Sequence, residues 1–251
     1  MLPIIDLGFV QVPTFFLVIS FLMGLSFYLS IYRAKRLNLD KNFTLDLSLV
    51  LMIFAILGAR LGHVFFENWQ YYAANPVKVF YFWEGGFVFY GGFILSFAAG
   101  LGFLYVSGEF AHLRVYMRLF VPILSVVYAL GRIGCFLEGC CYGKTCNLPW
   151  AVQGRHPTQI YSSLWELGIL IVLLTYESRN SERLQKQPER LFFIWLLLHS
   201  IGRACIEFMR DDFRGYAPLV SLSTWVSLIL FFASCIYFYR KRVLTNPLFR
   251  S

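Results

Sequence analysis

Seven stretches of about 20 mostly apolar residues recur along the 251-residue chain, near positions 13–32, 44–66, 87–107, 115–136, 158–176, 190–209 and 219–239. At about 1.5 Å of rise per residue, each is long enough to cross the roughly 30 Å hydrocarbon core of a bilayer as one helix. The composition agrees, with 58% hydrophobic and only 14% charged residues. An ordinary soluble domain has about 45–50% apolar and 25% charged residues, and the excess is too large for an oversized soluble core. Disorder, a coiled coil and a secreted disulfide scaffold are excluded by the same figures. The expectation is an all-α integral membrane protein with seven transmembrane helices. No internal repeat or low-complexity run is visible, so residues 1–251 are expected to form a single membrane-embedded domain.

Charge then sets the topology. Lys and Arg number 22 against 14 Asp and Glu, and in such a chain the excess reads first as orientation. Basic residues cluster after the first, third and fifth windows and in the tail, as with Arg33, Lys35 and Arg36 or Arg240, Lys241 and Arg242. The opposite side holds only Lys78, Lys144, Arg155, Arg210 and Arg214. Cytoplasmic loops carry the Lys/Arg excess, so the N-terminus is expected outside and the C-terminus in the cytoplasm. No Lys or Arg precedes the first window, so it does not read as a cleavable signal peptide.

Five charges fall in the outer halves of the windows. Counted along helices in this topology, Arg60, Arg132, Glu166, Arg203 and Glu207 all come to lie in the outer leaflet, although four helices supply them. Intramembrane charges are costly, and each is by default a functional-site hypothesis. Mutual pairing, Arg203 with Glu207 and Arg60 or Arg132 with Glu166, would serve helix association alone. Three arginines facing two carboxylates leave one guanidinium over, however, which invites an anion. A phospholipid phosphate is the anion at hand, and arginine grips it through a planar fork.

Several segments carry a resemblance. The run Gly131-Arg132-Ile133-Gly134-Cys135-Phe136-Leu137-Glu138-Gly139-Cys140-Cys141-Tyr142-Gly143 resembles the signature G-R-x-G-N-F-x-N-x-E-x-x-G of the bacterial prolipoprotein diacylglyceryl transferases. Supporting blocks follow the family's order: Gly58-Ala59-Arg60-Leu61-Gly62, Trp83-Glu84-Gly85-Gly86, Gly91-Gly92, Pro149 to Val152, Arg155-His156-Pro157, and Gly202-Arg203 through Glu207 and Arg210. The resemblance implies a seven-helix transferase of the bacterial inner membrane, with its active site toward the outer leaflet. Such an enzyme moves a diacylglyceryl group from phosphatidylglycerol to the lipobox cysteine of a prolipoprotein signal peptide. Membrane lipids, and not nucleic acid, are the implied partners. No cofactor is implied.

By the same resemblance Arg132 and Arg203 are catalytic, with Arg60, Gly91, Gly92, Gly134, Gly143, His156, Glu207 and Arg210 as substrate-binding candidates. Where the family has a histidine this chain has Tyr90, and the signature's asparagines are replaced by Cys135 and Cys140, with Glu138 between them. Thioether formation needs a thiolate acceptor and a stabilised phosphate leaving group. Tyr90 or Glu138 is therefore the expected thiol-activating group, beside the arginine field. The glycines read equally as close backbone approach to a headgroup or as tight helix packing. Cys135, Cys140, Cys141 and Cys146 do not follow the paired C-x-x-C spacing of common zinc ribbons, so no metal is expected. A disulfide from Cys146 to Cys140 or Cys141 is favoured on the oxidising side. The alternatives are a diverged paralogue with another acceptor, or a membrane thiol-redox or transport protein.

Overall fold

Nine α-helices and one short hairpin carry the described residues, 4–6, 8, 11–211 and 222–245, of this computed structural model. The helices are α1 (Thr14–Arg36), α2 (Lys41–Gly62), α3 (Trp69–Ala74), α4 (Phe89–Val106), α5 (Leu113–Glu138), α6 (Thr158–Arg179), α7 (Ser181–Lys186), α8 (Arg190–Glu207) and α9 (Leu222–Thr245). Local chemistry explains several of their ends. Helix α1 stops on Arg33, Lys35 and Arg36, cations that complement the negative end of its dipole. Asp40 caps α2 by accepting a hydrogen bond from the Phe43 amide at 2.7 Å. Helix α2 then runs on through a wider turn at His63–Glu67.

Six of the helices are long and apolar enough to cross a membrane among the described residues: Phe16–Arg36, Lys41–Glu67, Phe89–Val106, Phe110–Glu138, Thr158–Arg179 and Ser223–Arg242. The remaining expected span, near 190–209, is helical as α8, but Arg190, Arg203 and Glu207 lower its apolar character. Large apolar side chains face outward on these helices, as Phe89, Phe93, Ile94 and Phe97 do along α4. Polar side chains such as Thr44, Ser125, Thr158 and Gln159 are buried instead. That inversion suits a chain whose surroundings are hydrocarbon.

Three features depart from a purely helical expectation. Strands β1 (Ile4–Asp6) and β2 (Gln11–Pro13) pair antiparallel. Residues 67–86 hold α3 and two short 3-10 turns, Pro76–Phe80 and Phe82–Glu84. Isolated bridges Thr145–Arg155 and Val152–Arg155 fold residues 143–156 back on themselves.

The chain divides into two compact units, Met1–Ser26 with Arg114–Ser251, and Phe27–Leu113. In the first, Val121 of α5, Ile169 and Leu173 of α6, Leu184 of α7 and Leu191 of α8 form a buried apolar cluster. In the second, α2 packs closely along α4 through glycine, described below.

Candidate active site

In the larger unit the site grows from three helices. Gly202 of α8 lies where any Cβ would collide with the Trp165 indole of α6, so the two helices approach closely. Trp165 Nε1 donates to the Leu198 carbonyl at 3.0 Å and fixes that approach. Facing residues of the pair then meet. Glu166, 1% exposed, accepts from Trp195 Nε1 at 2.6 Å and from Ser125 Oγ at 3.1 Å, while His199 Nδ1 lies 2.8 Å from its other oxygen. An ionised carboxylate only accepts hydrogen bonds. Nδ1 of His199 is therefore the protonated nitrogen, and Nε2 is left as the basic one.

The His199 ring stacks on Trp195, with centroids 4.9 Å apart, and meets the Tyr128 ring edge-on at 4.8 Å. Arg132, one turn beyond Tyr128 on α5, donates from Nη2 to the Tyr128 hydroxyl at 3.0 Å and lies over its ring. Arg203 Nη1 stands 2.6 Å from Glu207 Oε2. Tyr128, Ser162, Glu166, His199 and Arg203 line one recess. The pairing expected for Arg203 is present. That expected for Glu166 is not: His199, Trp195 and Ser125 take its oxygens. Among the described residues, Arg132 forms no ion pair with a carboxylate.

The signature loop follows α5. Residues Tyr128, Arg132 and Cys135 recur at helical spacing and share a face. The chain then turns through Gly139 at φ 83° and Cys141 at φ 61°, the left-handed region that a cysteine rarely occupies. Two buried side chains at the start of α6 hold this turn. Thr158 Oγ1 donates to the Cys141 carbonyl at 2.7 Å and Gln159 Nε2 to the Cys140 carbonyl at 2.5 Å. As a result the Sγ atoms of Cys135, Cys140 and Cys141 lie within 4.8 Å of one another. Hydrogen bonding with Cys135 and Cys140, aided by the charges of Arg210 and Arg132, pulls the Cys141 thiol below its ordinary range. Hydrogen bonding with Cys135 and Cys141 pushes Cys140 up.

All six cysteines are free, which corrects the expected bridge to Cys146. Cys146 belongs to the folded-back segment, where its amide donates to the Gly154 carbonyl at 2.9 Å. Gly143 sits where a Cβ would come within 2.7 Å of the Met209 carbonyl and within 2.6 Å of the His156 Cβ. It pairs with Arg210, which is 8% exposed, so loop and α8 are joined beside the thiols. His156 is a loop-building residue: its carbonyl accepts from Gly143 and its Nδ1 lies 3.4 Å from the Tyr161 hydroxyl. Glu138 is exposed at the end of α5, and among the described residues no hydrogen bond orients its carboxylate.

The smaller unit holds the other candidates. Arg60 is 2% exposed and its donors are taken by main-chain carbonyls: Nε by Val79 at 2.9 Å, Nη2 by Lys78 at 2.6 Å and Tyr81 at 3.1 Å, Nη1 by Gly85 and Gly86. Tyr72 and Phe82 flank the same guanidinium. Arg60 thus supports the 78–86 segment, and the donors that the expected substrate role would use are engaged there. Gly91 abuts the Gly58 carbonyl, and a Cβ on Gly92 would stand 2.6 Å from the Ala55 carbonyl. Both are helix-packing positions, as is Gly134 in the larger unit, where a Cβ would stand 2.9 Å from Val18 Cγ1. Tyr90 is half-buried in the first turn of α4, its ring edge-on to Phe89.

His199 and Tyr128 are the functional candidates that the sequence left unmarked. The signal was the spacing: His199 precedes Arg203 by four residues and so shares its face of α8. Comparison with known proteins covers nearly all of this arrangement. Residues 3–240 match the family model described as prolipoprotein diacylglyceryl transferase. A phosphatidylglycerol–prolipoprotein diacylglyceryl transferase of Clostridioides difficile (strain 630) is 32% identical over 212 residues, covering 82% of each chain. One from Trichormus variabilis is 30% identical over 232 residues, 86% of this chain and 81% of its own. One from Prochlorococcus marinus (strain MIT 9301) is 27% identical over 275 residues, 95% and 92% of the two chains.

Proposed function

The chain belongs to the prolipoprotein diacylglyceryl transferase family, and on that premise we propose how its own residues divide the work. The protein is a membrane transferase of lipoprotein biosynthesis that moves a diacylglyceryl group from phosphatidylglycerol to a prolipoprotein. The acceptor is the lipobox cysteine thiol. Its sulfur displaces the phosphate ester from the glyceryl carbon, so negative charge accumulates on the departing glycerol phosphate. Arg132 and Arg203 hold that phosphate. The observation that carries this assignment is Arg132: a guanidinium within a membrane span with no carboxylate partner among the described residues. Its planar fork matches two phosphate oxygens.

His199 takes the thiol proton at Nε2, because Glu166 fixes its tautomer and ring, as a general base requires. Its orientation favours it over exposed Glu138. We take α8 as the seventh span, the N-terminus as external and the C-terminus as cytoplasmic, with chemistry at the outer leaflet of the bacterial inner membrane. The basic cluster Arg179, Arg183, Lys186 and Arg190 between the end of α6 and the start of α8, against the sparsely charged 139–157 loop, supports that orientation. Both compact units serve one transferase domain.

Arg132→Lys and Arg203→Lys, assayed with phosphatidylglycerol and a lipobox peptide, test the clamp. Lysine keeps the charge and loses the fork. Each variant should lose on the order of 10²-fold in turnover with an unchanged thermal midpoint. Normal turnover in either would remove the clamp.

A further inference from the structure

Three thiols meet at the signature loop, and the clamp does not use them. Cys135 ends the α5 face that carries Tyr128 and Arg132. Cys140 and Cys141 reach the same point from the turn beyond the helix, with all three Sγ atoms within 4.8 Å. Coordination to one ion demands more than proximity: the ligands must be held before the ion arrives. Here they are. The carbonyls of Cys140 and Cys141 are gripped by Gln159 and Thr158, each 2% exposed, and Cys141 is kept in a left-handed conformation that costs free energy unless its surroundings impose it.

We infer that Cys135, Cys140 and Cys141 bind one zinc ion through three thiolates and leave its fourth position open to the acceptor thiol. Zinc is the ion because it takes thiolate sulfur at about 2.3 Å in tetrahedral geometry, which brings three sulfurs about as close as they already lie. Structural zinc sites close with four protein ligands, whereas sites that do chemistry supply three and keep one position free. Cys146, engaged in the folded-back loop, does not join the group. Three thiolates and Zn²⁺ sum to one negative charge, which the guanidinium of Arg132 near Cys135 and Cys141, and that of Arg210 near Cys141, would offset.

The role at the fourth position rests on the transferase reading. A lipobox thiol held there would give up its proton, since a metal-bound thiol is deprotonated outright, and solvent would carry that proton to the base. Its sulfur then forms the bond to the glyceryl carbon. The carbon–oxygen bond to phosphate breaks, and that electron pair leaves with glycerol phosphate. The neutral thioether left behind is a weak ligand and dissociates.

The test uses the full chain purified in detergent under a thiol reductant. Zinc is measured by elemental analysis, Co²⁺ substitution by visible absorption, and transfer from phosphatidylglycerol to a lipobox peptide in the same preparations. One equivalent of zinc is expected, lost or weakened on the order of tenfold or more in Cys135→Ser, Cys140→Ser and Cys141→Ser and retained in Cys146→Ser. The cobalt form should show thiolate-to-metal absorption that shifts with a lipobox peptide but not with its serine analogue. Chelation should stop transfer and zinc should restore it. Active protein that binds no zinc overturns the metal site and leaves the transferase reading standing. Zinc-loaded protein that transfers nothing overturns that reading and leaves the site. A cobalt spectrum blind to the peptide, or transfer indifferent to chelation, overturns the open fourth position.

Discussion

A carboxylate inside a membrane protein persists only when its lone pairs are taken, and Glu166 meets that condition with three side-chain donors from α5 and α8. The sequence marked Glu166 by its depth, yet gave it an arginine partner. The actual partner follows from Gly202 and Trp165, which set how α6 and α8 rotate against each other. No spacing rule within a single helix encodes that rotation. His199→Gln removes the basic nitrogen while keeping an amide of similar reach. It should lower kcat by about 10²–10⁴-fold with the KM for phosphatidylglycerol nearly unchanged, whereas Arg203→Lys should raise that KM as well as lower turnover. Steady-state kinetics over both substrates separates the two. A His199→Gln enzyme with unaltered kcat would remove the residue from the proton path.

Helices without a hydrophobic drive to associate rely on close packing, and small residues permit it. Gly58 and Gly62, four apart on α2, face Gly91 of α4, with Gly92 against Ala55 one turn away. Side chains at Gly58, Gly91 or Gly92 would meet main-chain carbonyls, which do not yield. Gly91→Val should therefore destabilise the smaller unit by about 1–3 kcal/mol, the usual cost of overpacking, read as a lowered midpoint of unfolding in detergent. An unchanged midpoint would mean that α2 and α4 part without penalty. The blocks containing these glycines were visible in the sequence, but whether they served lipid or helix was not, since both uses need the same missing Cβ. Hydropathy located every long helix among the described residues. It could not find the β1–β2 hairpin or α7, which are too short for any periodicity to register.

At the scale of the molecule, composition and charge asymmetry sufficed for a helical membrane protein, and the ordered motif blocks for its family. The closeness of the three thiols was not legible, because spacing was read along the chain, while the turn at Gly139 and Cys141 folds those sulfurs together in space. Orientation is open to a direct measurement. In a variant lacking the native cysteines, single cysteines at Asn75 and Asp211 should react with a membrane-impermeant thiol reagent on intact spheroplasts, and one at Asn180 should not. The inverse pattern would reverse the topology, and equal labelling of 180 and 211 would show that α8 does not cross. Arg60 bears on a different matter, the latitude this chain has to change over time. Its guanidinium contacts the 78–86 segment through carbonyl oxygens, and those are the same atoms whatever residue carries them. Where the segment is held only by its carbonyl, as at Val79, one side chain can exchange for another while the path stays fixed, whereas Phe82 by its ring and Gly86 by its missing Cβ cannot drift in the same way.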